Sequence, residues 1–176
     1  MKKTVLMAII VLATLTGMNA QNYKWWAGGR TSFWADDNGT SFSVAPEVGY
    51  HLTTKFTLAT SIAYHAVKFD NSDKNALSPD FSGFVVNPYI RYTAFKSGIL
   101  LGFIDGGMEF GIGDIDGFQI GFKPGIALLL TNRVTAATQF GFLGYSDGNG
   151  IAAGRTKGVG FDLSGYCGTI AFFYSF

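Results

Sequence analysis

Two histidines and a set of evenly phased charges are the residues of this 176-residue sequence best suited to chemistry. Ser61, His65 and the pair Asp70 and Asp73 supply the residue types of a nucleophile, a general base and an orienting carboxylate. His51 adjoins a short turn and has no serine at i+2. A lone histidine is more often structural or solvated than catalytic, so no enzyme activity is expected. Asp36-Asp37-Asn38, Asp114-Ile115-Asp116-Gly117 and Asp147-Gly148-Asn149 offer oxygen ligands. None completes the spaced calcium loop, and turn chemistry accounts for them better. Gly111-Ile112-Gly113 is not a phosphate loop, because no helix follows it. No metal and no cofactor are expected.

The remaining charges carry more information. Arg30, Glu47, Arg91, Asp105, Glu109, Lys123 and Asp162 lie in segments whose residues alternate in polarity, always on the polar phase. His51, His65, Asn87, Gln119 and Gln139 share that phase. The opposite phase is apolar: Phe42, Val44, Val48 and Tyr50, then Leu58, Ile62 and Tyr64, then Phe84, Val86, Ile90 and Tyr92, then Ile120, Phe122, Ile126 and Leu128. Successive strand residues face opposite sides, so these segments predict strands with one charged and one apolar face.

Eight such segments are predicted: Lys24 to Ala35, Ser41 to Leu52, Phe56 to Phe69, Gly83 to Phe95, Ile99 to Phe110, Phe118 to Leu130, Val134 to Tyr145 and Val159 to Phe176. Three connections are tight, at Thr53 to Lys55, Lys96 to Gly98 and Thr131 to Arg133. Those that alternate with them are mostly longer and more polar. A gapless internal repeat aligns Pro46 to Thr60 with Pro124 to Thr138, each copy a strand, a Leu-Thr-x-basic turn and a strand, with an echo starting at Asn87. Pro46, Pro88 and Pro124 cannot donate to a ladder, so each predicts a bulge or a missing bond.

Composition says what the apolar face meets. Hydrophobic residues make up 48% and charged residues 14%, against roughly 25% charged in an average soluble domain. Beyond Leu15 no apolar run approaches the ~20 residues of a membrane helix, and 24 glycines disfavour helices throughout. A chain that faces hydrocarbon without helices must close its strands into a barrel. Met1 to Ala20, with Lys2 and Lys3 ahead of the apolar run Val5 to Leu15, predicts a secretory signal peptide, and residues 21–176 the barrel domain. Without Lys2 and Lys3 the 13 basic residues become 11, against 12 acidic ones. That net of −1 gives no general attraction to nucleic acid. Cys167 is the only cysteine, so no intrachain disulfide forms, and its phase predicts a small buried residue.

Taken together, the leader, the eight alternating segments, the P-x-[VI]-x-x-x-L-T turn module and the ending Ile170-Ala-Phe172-Phe-Tyr174-Ser-Phe176 resemble the small outer-membrane barrels of the OmpX and OmpA-barrel kind. The resemblance implies an eight-stranded antiparallel up-and-down barrel, exported by the Sec pathway into the outer membrane of a Gram-negative-type bacterium. It implies that Phe176, with Ile170, Phe172 and Tyr174 at alternate positions before it, is the signal read by the barrel-assembly machinery. It implies outer-membrane lipid and lipopolysaccharide as surroundings; because the sequence stops at the last segment, the peptidoglycan-binding domain that follows the barrel in OmpA proteins is not expected. The serine and histidine arrangement of outer-membrane lipid A hydrolases is not matched.

An eight-stranded barrel is just wide enough for side chains to fill it. The charged phase therefore predicts a packed ion-pair network inside, with a structural, envelope-stabilising or surface role. Two alternatives are a narrow ion pore gated by exchange of partners, and adhesion through the connections at 70–82 and 146–158. Aromatic girdles are expected near the short turns, from Trp25, Trp26, Tyr50, Tyr92, Tyr174 and Phe176, and near the long connections, from Trp34, Tyr64 and Tyr145.

Overall fold

The computed structural model describes residues 23–36, 39–69, 80–148, 157–163 and 169–176. All regular structure among them is β: β1 (Trp25–Asp36), β2 (Gly39–His51), β3 (Phe56–Phe69), β4 (Phe81–Ser97), β5 (Leu100–Gly113), β6 (Gly117–Leu129), β7 (Val134–Gln139), β8 (Phe142–Gly148), β9 (Gly158–Asp162) and β10 (Thr169–Ser175). Each pairs antiparallel with its neighbours, β6 pairs with both β7 and β8, and β10 pairs with β7 and with β1. The result is a closed antiparallel barrel of eight strands, in which β7 and β8 are halves of the seventh and β9 and β10 of the eighth. The predicted signal peptide and Cys167 lie outside the described residues, as do Asp70 and Asp73.

The seventh strand differs from the single segment predicted. Gly125 pairs with Gln139 but Phe122 with Leu143, so β7 and β8 are offset by one residue at Phe140 and Gly141. Gly141 has φ +100°, a conformation that glycine adopts without strain. The offset lies opposite Pro124. Pro46 and Pro88 are accommodated differently. Each stays in the ladder with the preceding strand, opposite Gly29 and Thr60, while pairing with the following strand lapses for two residues without losing register. The prolines thus cost ladder bonds on one side only, as their missing N–H requires.

The repeat folds as a repeat. At Leu52 to Phe56, Thr53 Oγ1 accepts hydrogen bonds from the Lys55 and Phe56 amides at 3.2 and 3.0 Å, and Leu52 N–H donates to the Phe56 carbonyl at 2.9 Å. At Leu130 to Val134, Thr131 Oγ1 accepts from Arg133 and Val134 at 3.1 and 2.9 Å, and Leu130 N–H donates to the Val134 carbonyl at 2.9 Å. Threonine here occupies the amides that a tight turn leaves unpaired.

Outside, the barrel is apolar. Leu58, Ile62, Phe84, Ile90, Phe122 and Ile126 all point away from the interior and are exposed. Cross-strand aromatic pairs bound this band at both ends. Trp25 with Tyr50 (4.8 Å between centroids) and Phe56 with Tyr92 (5.2 Å) lie towards the short turns, Tyr64 with Phe84 (5.1 Å) and Phe110 with Phe118 (5.4 Å) towards the long connections. Trp26 corrects the predicted girdle. It shares the parity of Arg30, turns inward and is 4% exposed, edge-on to Phe173 at 4.4 Å.

Candidate functional site

The interior is built in three layers. Towards the short turns, Trp26, Tyr89, Phe103 and Phe173 pack with Ala59, Ala127, Ala137 and Ala171. The alternation of large rings and alanines fills a narrow cylinder without overlap. Glycines make further room across the strands: a Cβ on Gly49 would collide with the Trp26 indole, and one on Gly125 with the Phe103 ring. Towards the long connections, Ala45, Ala63 and Val85 surround Ile115, which is 1% exposed. Ile115 lies in the Gly111 to Gly117 connection that the sequence reads as polar. Its side chain caps the barrel instead, while Asp114 Oδ2 accepts the Ser82 amide at 3.1 Å.

Between these layers lie the polar side chains. Arg91 and Asp105 are direct partners across β4 and β5 and form a bidentate pair, Nε to Oδ1 at 2.7 Å and Nη2 to Oδ2 at 2.8 Å. Gln139 Nε2 donates to Asp105 Oδ2 at 2.6 Å. The guanidinium sits 4.0 Å from the centroid of Phe103, with Tyr89, Phe173 and Trp26 at 5.5, 5.7 and 5.8 Å. Aromatic faces attract a cation, so Arg91 belongs to the polar layer and the aromatic one together.

Glu109 gathers a second node. It accepts from Lys123 Nζ at 2.5 Å, Asn87 Nδ2 at 2.8 Å and Gln119 Nε2 at 2.9 Å. Lys123 faces Asp105 in register but reaches diagonally to Glu109, leaving Asp105 to Arg91 and Gln139. Glu47 accepts a hydrogen bond from the Tyr89 hydroxyl and lies 3.9 Å from Arg30 Nη1. Asp162 pairs in register with Phe142, whose side chain is buried in the interior, so Asp162 lies on the inner phase of β9. The cavity among Asn87, Asp105, Glu109, Gln119, Lys123 and Gln139 measures about 10 Å³, room for about one water.

The serine and histidine candidates do not converge. His51 Nδ1 is 2.7 Å from Thr57 Oγ1. Ser61 Oγ is buried without a hydrogen-bond partner, so His65 on the same strand does not engage it. Asp147 takes Lys157 Nζ at 2.9 Å rather than completing an oxygen cage. That bond holds the Lys157 ammonium above its ordinary pKa. Of the predicted terminal signal, Ile170 and Phe172 face outward and are exposed, Tyr174 accepts from Arg133 Nη1 at 2.8 Å, and Phe176 exchanges backbone hydrogen bonds with Trp25.

Four residues of the site escape a search for charged groups: Trp26, Tyr89, Phe103 and Phe173. Parity marks three of them, since Trp26, Tyr89 and Phe103 lie on the phase of Arg30, Arg91 and Asp105 in their own strands, whereas β10 holds no charge to mark Phe173. Compared with models of known protein families and with characterised proteins, the chain gives no match.

Proposed function

We propose that this chain is an exported, integral outer-membrane barrel of the OmpX and OmpA-barrel kind, without enzyme activity, whose side-chain-filled polar interior serves the stability of an envelope or surface component. The observation that carries this reading is the inversion of its two faces. The described ion pairs among the barrel strands Arg30–Glu47, Arg91–Asp105 and Lys123–Glu109 lie inside, while isoleucine, leucine and phenylalanine cover the outside between two rows of aromatic pairs. In water such a surface would associate; in a bilayer it is the solvated face. From Phe56 to Tyr64 the strand rises by eight residue steps, which at ~3.3 Å each and a tilt of ~40° project to about 20 Å, close to the ~25 Å apolar band of such barrels.

A packed interior favours a plug over a pore. Ions need a continuous wet path, and the cavity of about 10 Å³ is closed towards the short turns by Arg91 and its four rings. Purified protein refolded into vesicles and fused to a planar bilayer tests both halves of the proposal. Heat-modifiable mobility, protection from protease and a silent current trace are expected. Reproducible unitary currents would replace the plug with a narrow pore, and failure to insert would remove the membrane reading.

A further inference from the structure

The near-neutral net charge of the chain conceals a polarity along the barrel axis. At the short-turn end the charged side chains are Lys24, Lys55, Lys96 and Arg133, and the segments that build that end (23–27, 50–58, 92–103, 126–136 and 171–176) contain no Asp or Glu. The described residues of the opposite end include Asp80, Asp114, Asp116 and Asp147 against Lys68 and Lys157.

These four cations occupy equivalent places. Lys24 precedes Trp25, Lys55 precedes Phe56 and Lys96 follows Phe95, three aromatics that are outward-facing and exposed. Lys24, Lys55 and Lys96 are themselves exposed. Arg133 is fixed by the Tyr23 hydroxyl at 2.8 Å from Nε and the Tyr174 hydroxyl at 2.8 Å from Nη1, which also hold its pKa above the ordinary value. The repeated Leu-Thr-x-basic turn places Lys55 and Arg133 at the same position of two identical turns. Amphipathic rings sit at the headgroup level of a bilayer, and a long cationic side chain beside them reaches the phosphates.

We infer that the short-turn end is a docking collar for anionic phospholipid headgroups, a reading that rests on the membrane proposal above. The apolar stripe of each lipid would lie on the Trp25, Tyr50, Phe56 and Tyr92 surface, with its phosphate among the four cations. Lipid is favoured over a soluble polyanion because every cation is within one residue of, or bonded to, an aromatic of the apolar band rather than raised on a long connection.

The test uses the purified protein in nanodiscs of phosphatidylcholine and phosphatidylglycerol, with retained lipid counted by native mass spectrometry. Phosphatidylglycerol should be enriched over its bulk fraction. Each cation near an anionic surface is worth roughly a fivefold gain, so Arg133→Gln should reduce the enrichment by up to that factor. The fourfold Lys24→Gln, Lys55→Gln, Lys96→Gln, Arg133→Gln variant should abolish it, while Arg133→Lys and the opposite-end variant Lys157→Gln should keep it. Insertion without enrichment, enrichment that survives the fourfold variant, or capture of soluble polyglutamate in its place would overturn the collar and leave the membrane reading intact. A chain that enters no nanodisc contradicts both.

Discussion

Arg91 and Lys123 are cations of the same interior, held by carboxylates of the same strand, yet their surroundings are opposite. Arg91 is bidentate to Asp105 and walled by Trp26, Tyr89, Phe103 and Phe173. Lys123 meets Glu109 in the company of Asn87 and Gln119. The aromatic wall offers the guanidinium a single long hydrogen bond, from Nη2 to the Tyr89 hydroxyl at 3.5 Å, whereas an amide cluster can turn to accept or donate. The same kind of ion pair therefore serves as a locked joint at one height and an adjustable one a few residues higher.

The largest effect should come from breaking the locked joint. Removing one partner of a buried pair costs about 3–5 kcal/mol, because the other charge is left uncompensated. Arg91→Ala should destabilise the refolded barrel by that order in urea titrations, since the Gln139 amide is then the described hydrogen-bond donor left to Asp105, Lys123 being engaged by Glu109. Arg91→Lys should recover only part of the loss, lacking both the planar fork and the stacking. Equal stability of Arg91→Ala and the wild type would mean that the side chain does not face inward.

Next in size is the packing of the rings. Gly125→Ala places a methyl group against Phe103 and the Thr138 carbonyl, and overpacking of this kind costs about 1–3 kcal/mol. Trimming the ring in the double variant Gly125→Ala, Phe103→Leu should give a smaller loss than the two single losses added. Strict additivity would show that glycine and ring do not meet.

At the adjustable joint, Lys123→Gln keeps a donor for Glu109 and should cost clearly less than Arg91→Ala in the same titration. A comparable loss would erase the distinction between the two heights. Smaller still is the turn: Thr131→Val removes the hydroxyl that accepts from Arg133 and Val134, worth about 1 kcal/mol. Ile90→Val, on the outer face, should fall at or below that level.

How far the sequence could be read follows from which forces are periodic. Alternation exposes the two faces, so Glu47, Asp105 and Glu109 could be placed on one side from parity alone. The turns were legible because Thr53 and Thr131 recur with the same neighbours. The break between β7 and β8 was not, since the offset at Gly141 moves the inward phase from Gln139 to Phe142 while Phe140, Phe142 and Leu143 are apolar on both phases. Trp26 is ambiguous in the sequence because aromatic residues beside a short turn suit either a lipid interface or a core, and its contact with Phe173 decides. Ile115 sits in a connection that is polar by composition, yet a single apolar side chain between two aspartates is what a capping residue looks like when its neighbours face out.

The opposition of an apolar outside and a packed, charged inside is tested most directly by quenching single tryptophans with lipids brominated at mid-chain. Ile62→Trp, Ile90→Trp and Ile126→Trp, made where the native tryptophans are replaced by phenylalanine, should be strongly quenched in vesicles. Trp26, kept as the sole tryptophan, should be quenched little. Weak quenching at the three outward positions, or equal quenching of Trp26, would contradict the account.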